Sequence, residues 1–346
     1  MSDTSAHPDQ DHAENRAADH AAVVRGLYRG FLGREPDPAG LQYWGARLAE
    51  GAGAQELVAA LMASEEYRQS HGDQGSLEDL KRGVAAAAAK LLARPLTVVD
   101  IGAQELETEE HIYAPLTRQG LPYRIIGFEP QQEKIEASRL RNPDSRVTLY
   151  PTFIGDGAEQ TFHINNDDAT CSLLPFNREL TGQLLDLEHL HTLRTERVAT
   201  SRLDDVLAQT GPVDFLKLDI QGFELPVLRH AGAVLARTNV VHCEVSFAPI
   251  YAGQGLFSEI ETLLRAAGFY LLDFYSLCRY PSVDGAGQRS RDRLGWGDAV
   301  FVREGAHADD LLAQALVLLF VYDKPSAAAA LARRAGFGNL FEDASA

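Results

Sequence analysis

The 346-residue sequence predicts an α/β protein: a mostly parallel sheet closed by a terminal antiparallel hairpin, preceded by a small all-helical domain. Three observations carry this. Short apolar runs of strand length recur between residues 96 and 304, and helical stretches separate several of them, the pattern of right-handed crossovers between parallel strands. The last two runs have no convincing helix between them and read as a hairpin. Before residue 95 the apolar residues follow helical spacing instead.

Taken in order, residues 1–20 are polar and acidic and read as a disordered lead, since they offer little apolar surface to offset the entropy of ordering. Residues 21–72 form the helical domain. Val24, Leu27, Tyr28 and Phe31 keep i, i+3, i+4, i+7 spacing, Leu57, Leu61 and Met62 share a face of a later helix, and "GREPDPAG" between them is a turn. Tyr28, Tyr43 and Trp44 read as the aromatic core of a small bundle, with sugar stacking as the sharper alternative. An alanine-rich linking helix occupies 73–94 and Pro95 ends it. Strands are then expected at 96–103, 123–130, 147–155, 213–222, 240–247, 269–276 and 298–304, within a domain spanning 95–304, and a helical tail at 305–346. Helices are expected in "EKIEASRLR", "ELPVLRHAGAVLA" and "LFSEIETLLRAAG".

Composition narrows the function. A net charge of −17 opposes sequence-independent binding to nucleic acid, which needs a basic surface to displace counterions. Cys171, Cys243 and Cys278 are few and far apart, so neither a disulfide framework nor a thiolate zinc site is expected, and a reducing cytoplasm fits best. No run approaches the roughly 20 apolar residues of a membrane span. The start of the chain lacks the basic and apolar segments of a secretory signal. No metal site is expected: His189 and His191, two apart in an expected helix, diverge, and His111, His163 and His230 are isolated in sequence.

In an open parallel sheet, ligands bind beyond the carboxyl ends of the strands at the switch point. Those ends deliver Asp100, Gly102 and Ala103, then Glu129, then Asp219, Gln221 and Gly222, and finally Glu244 and Ser246. Glu129 closes the second strand, where a carboxylate accepts both hydroxyl hydrogens of an adenosine ribose. The loop "GAQELE" after the first strand lacks the glycines that a dinucleotide pyrophosphate requires and is acidic, which suits S-adenosylmethionine, a phosphate-free sulfonium. A nicotinamide oxidoreductase is disfavoured on the same ground.

These segments, "DIGA", "GFEP", "TSRLDDVL", "VDFLKLDIQGFELPVLRHAG" and "HCEVSF", resemble in order and spacing the FkbM-type S-adenosylmethionine-dependent methyltransferases, over about 95–304. The resemblance implies the class I methyltransferase (Rossmann-like) sheet and O-methylation of small molecules or sugars. It places Asp100, Gly102 and Ala103 in the cofactor loop, Glu129 on the ribose, and Asp219, Gly222 and Glu224 in a motif at the reaction cleft. The family pattern D-x-G-A-N-x-G is altered here: Gln104 stands for Asn and Leu106 for the second Gly, and Gln221 replaces the usual Glu after the fourth strand. Residues 23–70, with "YRGFLGREPDPAGLQYW", resemble a short helical domain of unknown function often attached to glycan-modifying or surface-associated proteins, a candidate for recruiting a protein partner.

Methyl transfer to a hydroxyl needs the acceptor oxygen held in line with the methyl group and gains from a positioned base. Asp219 is the first candidate for that base and Glu244 the second. Asp219 is also a candidate for the cofactor's amino group or for capping the helix near Glu224. Arg289 and Arg291, in the segment "RYPSVDGAGQRSRDRLGWG" between the last two strands, are candidates for a lid that clamps an acidic group on the acceptor. The alternative to an enzyme on a glycan acceptor is a binding or scaffold protein that keeps the fold without turnover.

Overall fold

A computed structural model describes residues 8–67, 74–103, 110–141, 143–284 and 290–342. The chain divides into two compact units, Met1–Asp79 and Leu80–Ala346.

The first unit packs the helices Pro8–Leu32, Pro38–Ala49 and Ala54–Met62 around Val24, Tyr28, Leu57 and Leu61, with Trp44 and Leu48 against them. Asp37 caps the second helix by accepting from the Gly40 N–H at 2.6 Å, and Pro38 occupies its first turn, where the missing N–H costs nothing. Tyr28 and Trp44 join the core as expected, whereas Tyr43 is 58% exposed and meets Trp44 edge-on at 5.1 Å. The first helix begins at Pro8, inside the stretch expected to be disordered. Its Ala, Glu, Gln and Arg residues are good helix formers, and a helix nucleated by the packed turn at Val24 and Tyr28 propagates at little cost.

In the second unit seven strands form one sheet: β1 Leu96–Ile101, β2 Tyr123–Phe128, β3 Val147–Tyr150, β7 Val213–Leu218, β8 Thr238–Ser246, β9 Phe269–Tyr280 and β10 Arg293–Arg303. They run in the order β3-β2-β1-β7-β8-β10-β9. The pairs β1/β2, β2/β3, β1/β7 and β7/β8 are parallel, and β10 is antiparallel to both β8 and β9. This is the class I methyltransferase sheet expected from the sequence, with its closing hairpin. A smaller sheet is built from β4 Phe153–Ile154, β5 Glu159–Asn165 and β6 Thr192–Ser201, with β6 in the middle.

The expected strand 147–155 is two strands in two sheets: Pro151 between them has no N–H for a ladder. β5 and β6 are not expected from the sequence, because their residues are largely polar, those of β6 mostly exposed, and carry little apolar alternation. His189 sits in a turn and His191 just before β6, not on a helix. One face of the large sheet, with Val99, Ile101, Leu216, Leu218, Val241 and Cys243, forms the main core under the helices Glu224–Arg229, Gly232–Leu235 and Phe257–Ala266.

The region read as a tail is part of this domain. In the helix Ala308–Phe320 every residue from Leu311 to Phe320 is buried, and Gln314 donates to the Arg303 carbonyl at 3.0 Å. A helix apolar all round has to be buried. The linking helix, Gln74–Leu91, crosses the boundary between the units; Val84 and Ala88 on its second part are fully buried. At the end of the sheet away from the strand carboxyl ends, buried Asp214 accepts from Arg94 at 2.6 Å, from the Thr97 N–H at 2.7 Å and from Asn239 at 3.0 Å, tying β1, β7 and β8 together.

Candidate active site

Strand register decides which side chains meet. Asp100 lies beside Lys217 and Lys217 beside His242, on the face opposite the main core. Side chains alternate along a strand, so two positions on, the same face presents Gly102, Asp219 and Glu244, and Glu244 pairs with Asp298 across β10. A row of polar groups therefore crosses the carboxyl ends of β1, β7 and β8 and continues onto β10. The strand order reverses between β1 and β7, and the row straddles that switch point.

The row floors a cavity of about 1030 Å³, at the upper end of the roughly 300–1,000 Å³ of small-molecule sites. Gly102, Phe128 and Glu129 line one side. Asp219, Gln221, Glu244 and Asp298 also face it. Its roof is the segment between β5 and β6, which supplies Asp168, Phe176, Leu187 and Leu190 and packs on Ile250 and Tyr251.

At the first end, Gly102 has φ +84°, and a Cβ there would lie 2.0 Å from the Asp219 carbonyl oxygen. Only glycine lets the β1 loop lie this close to the end of β7. Its N–H donates to the Phe128 carbonyl at 3.1 Å. Glu129 is 4% exposed, lines the cavity and accepts from the Gln131 N–H at 2.8 Å; burial raises its pKa, with that N–H and Lys134 opposing. Asp100 and Ala103 do not line the cavity. Asp100 is fully buried, accepting from the Tyr113 hydroxyl at 2.9 Å and facing Lys217 at 3.4 Å, while Ala103 packs with Ile135 and Leu149. Both support the loop from behind. Gln104 and Leu106 lie outside the described residues.

At the switch point, Lys217 stands 3.4 Å from Asp100 and 3.4 Å from Asp219. Burial alone would lower its pKa, but the two carboxylates outweigh burial and raise it. Asp219 is 38% exposed and has both oxygens engaged, Oδ2 by Lys217 and Oδ1 by Gln221 Nε2 at 3.0 Å. The same amide reaches Glu244 Oε2 at 3.4 Å. Gln221 sits at φ +56°, held there by Ser172 Oγ donating to its carbonyl at 2.6 Å and by the Tyr251 hydroxyl donating to its Oε1 at 3.0 Å. A glutamate here would set a third carboxylate against Asp219 and Glu244, whereas the amide donates to both.

Glu244 opens partly onto the cavity, and among the described residues its Oε1 accepts no hydrogen bond. Burial, then Asp219, Glu224 and Asp298, push its pKa well up. Glu224, placed by family resemblance at the cleft, is 3% exposed and accepts from the Ile220 and Gly222 N–H groups at 2.9 and 3.2 Å; it shapes the turn and does not line the cavity. Gly222 has φ +99° and lets Tyr251 and Gln254 pack against the turn.

Three residues of the polar row were not singled out in the sequence: Lys217, His242 and Asp298. His242 faces the Tyr322 hydroxyl through Nδ1 at 3.0 Å and Asp298 through Nε2 at 3.5 Å, and Asp298 also accepts from Ser276 at 2.6 Å. A polar residue inside each apolar strand was the available signal. Of the expected arginine lid, Arg289 lies outside the described residues, and Arg291 is exposed and not among the residues lining the cavity. The start of that segment is tied to the roof, Leu185 N–H to the Pro281 carbonyl at 2.9 Å and Val283 N–H to the Gln183 carbonyl at 3.0 Å.

Residues 100–271 match the methyltransferase FkbM domain, and residues 10–71 match the domain of unknown function DUF4214. No curated protein matches the chain. Among solved structures, an S-adenosylmethionine-dependent methyltransferase from Anabaena variabilis is similar at 10% identity over 65% of this chain and 86% of that one, TM-score 0.32. A putative methyltransferase from Thermoplasma acidophilum is similar at 9% identity over 62% and 71%, TM-score 0.31. TYW2 of M. jannaschii, solved with AdoMet, is similar at 14% identity over 67% and 77%, TM-score 0.28. Likenesses this distant assign no role to any residue.

Proposed function

We propose, for a chain whose residues 100–271 form an FkbM methyltransferase domain, that the protein moves a methyl group from S-adenosylmethionine to a hydroxyl of a sugar or glycan-bearing acceptor. The observation that carries this reading is the convergence of Glu129, Asp219 and Glu244, from the carboxyl-end regions of the parallel strands β2, β7 and β8, on one cavity at the switch point. The site fits the cofactor: Glu129 offers a buried carboxylate for the ribose hydroxyls, and Gly102 gives close backbone approach beside it.

When bound, S-adenosylmethionine supplies an electrophilic methyl on a positively charged sulfur. The protein's part is to hold the acceptor oxygen in line with that methyl, exclude water under the roof of Phe176, Leu187 and Leu190, and receive the hydroxyl proton. Glu129 and the Gly102 loop would hold the cofactor, whose methyl group would pass from sulfur to the acceptor oxygen, and the proton lost from that oxygen passes to a carboxylate of the chain. Sequence reasoning ranks Asp219 first for that task. Its two engaged oxygens favour the reverse ranking, with Asp219 orienting and Glu244, which lines the cavity and whose Oε1 accepts no hydrogen bond among the described residues, accepting the proton. An acidic acceptor gains no support from the placement of Arg291, and the carboxylate floor favours a neutral one.

Calorimetry with S-adenosylmethionine tests the cofactor reading. Glu129→Ala removes two charge-assisted hydrogen bonds, so at least about tenfold weaker binding is expected. Unchanged affinity would remove Glu129 from the site. Transfer of labelled methyl to a panel of neutral sugars tests turnover, and Glu244→Gln should lower it more than Asp219→Asn does. Cofactor binding with no transfer to any member would favour the binding or scaffold alternative.

A further inference from the structure

Glu244 and Asp298 sit directly opposite each other on β8 and β10, a position in which the Cβ atoms of a cross-strand pair are only about 4.5–5.5 Å apart. Two carboxylates so placed and half-buried resist being ionised together. Their surroundings are unequal. Asp298 accepts from Ser276 Oγ at 2.6 Å and has His242 Nε2 at 3.5 Å. The Tyr322 hydroxyl lies 3.0 Å from Nδ1, and in the His242 tautomer that donates from Nε2 to Asp298 this hydroxyl is the donor to Nδ1. Glu244 has one long contact, the Gln221 amide at 3.4 Å.

The other charged and titratable groups around Glu244 are Lys217 on β7 and Asp219 just past its end, Cys243 beside it on β8, Glu224 on the following helix, Tyr251 beyond β8 and Tyr280 on β9. Lys217 is the one cation of this group, and it is shared between Asp100 and Asp219. The balance falls one way: burial raises the Glu244 pKa, whereas at Asp298 burial is outweighed by His242 and Ser276, and the pKa is lowered.

We propose that Glu244 and Asp298 hold one proton between them in the cofactor-free protein, that His242 is a positioning residue keeping it on Glu244 by bonding Asp298, and that arrival of the cationic cofactor expels it. This rests on the reading that S-adenosylmethionine is the cofactor. The consequence is functional: Glu244 is a neutral acid until the sulfonium is present and a proton acceptor afterwards, so the base is generated only in the loaded site. S-adenosylhomocysteine, a neutral thioether at the same place, leaves the proton where it is.

The test needs no acceptor. Calorimetry near neutral pH in buffers of different ionisation enthalpy counts the protons released on binding. Wild type should release more with S-adenosylmethionine than with S-adenosylhomocysteine, and Glu244→Gln should abolish the difference while still binding both. Equal release with the two ligands, or an unchanged difference in Glu244→Gln, overturns the proposal and leaves the cofactor reading standing; absence of binding by either ligand overturns both. A ligand-free measurement addresses His242. The infrared carbonyl band of a protonated carboxyl group in wild type should shift when glutamate alone is labelled with carbon-13, and in His242→Gln an unshifted aspartate component should appear. A band indifferent to glutamate labelling, or unaltered by His242→Gln, rejects the assignment of the proton to Glu244 or the role of His242 respectively.

Discussion

A methyl group on Gly102 would have to occupy the space 2.0 Å from the Asp219 carbonyl oxygen, at a φ of +84° that side-chain-bearing residues rarely adopt. Gly102→Ala therefore combines backbone strain of about 1–3 kcal/mol with a displaced β7 terminus. Lower denaturant midpoint and lost cofactor affinity are expected together; a variant as stable as wild type would show that the two loops can separate freely. Glu224 makes a different prediction, because burial raises its pKa to about 7. From about 4.5 to about 7 the native protein keeps a proton that the unfolded chain has released, so stability falls as pH rises through that window and levels off above it. Glu244, also raised by burial, adds a slope of the same sign. Glu224→Gln should thus shrink, without removing, the decline of the thermal midpoint between about pH 5 and 7; an undiminished slope would assign it elsewhere. At this scale the sequence is readable where function sits at the end of a strand. Glu129 and Asp219 were reachable because each stands just past the close of an apolar run, and Glu244 because it lies two residues from the end of β8. Lys217, His242 and Asp298 were not, because each interrupts an apolar strand, and only the register of β7, β8 and β10 shows that they share a face.

The helix Ala308–Phe320 illustrates what single elements conceal. Its apolar run continues without a polar stripe, the sign of burial on all sides, yet its place at the end of the chain suggested an appendage. It covers the face that carries the polar row, and Tyr322, two residues beyond it, reaches His242. Leu316→Ala, at a fully buried position, should cost about 2–5 kcal/mol in denaturant unfolding. A loss under about 1 kcal/mol, the scale of surface substitutions, would return the helix to the status of a tail. The smaller sheet was illegible for the opposite reason. β6 reads "TLRTERVATS", mostly exposed and polar, so its pairing with β5 is sustained by backbone hydrogen bonds and cross-strand partners rather than by a buried stripe. Because that sheet carries the roof between β5 and β6, the roof of the cavity is the part that periodicity could not disclose.

For the whole molecule, the sequence places the change of period near Pro95, and the compact units divide at Asp79, inside the helix Gln74–Leu91. A continuous alanine-rich helix shows no composition break where its packing partners change. Each unit has its own apolar core, Val24, Tyr28, Leu57 and Leu61 in the first and the sheet core in the second. All of the cavity-lining residues, from Ile101 to Val321, belong to the second. Cofactor binding should accordingly be a property of the second unit alone. A fragment spanning residues 74–346 keeps the whole helix Gln74–Leu91 and is expected to bind S-adenosylmethionine within about threefold of the full chain, a difference under about 0.7 kcal/mol. Glu129→Ala in the fragment should weaken binding by the same factor as in the full chain, since the two sets of contacts are independent. A folded fragment that binds at least about tenfold more weakly would mean that the DUF4214 unit contributes about 1.4 kcal/mol or more to the site, and would assign the amino-terminal unit a role in cofactor binding.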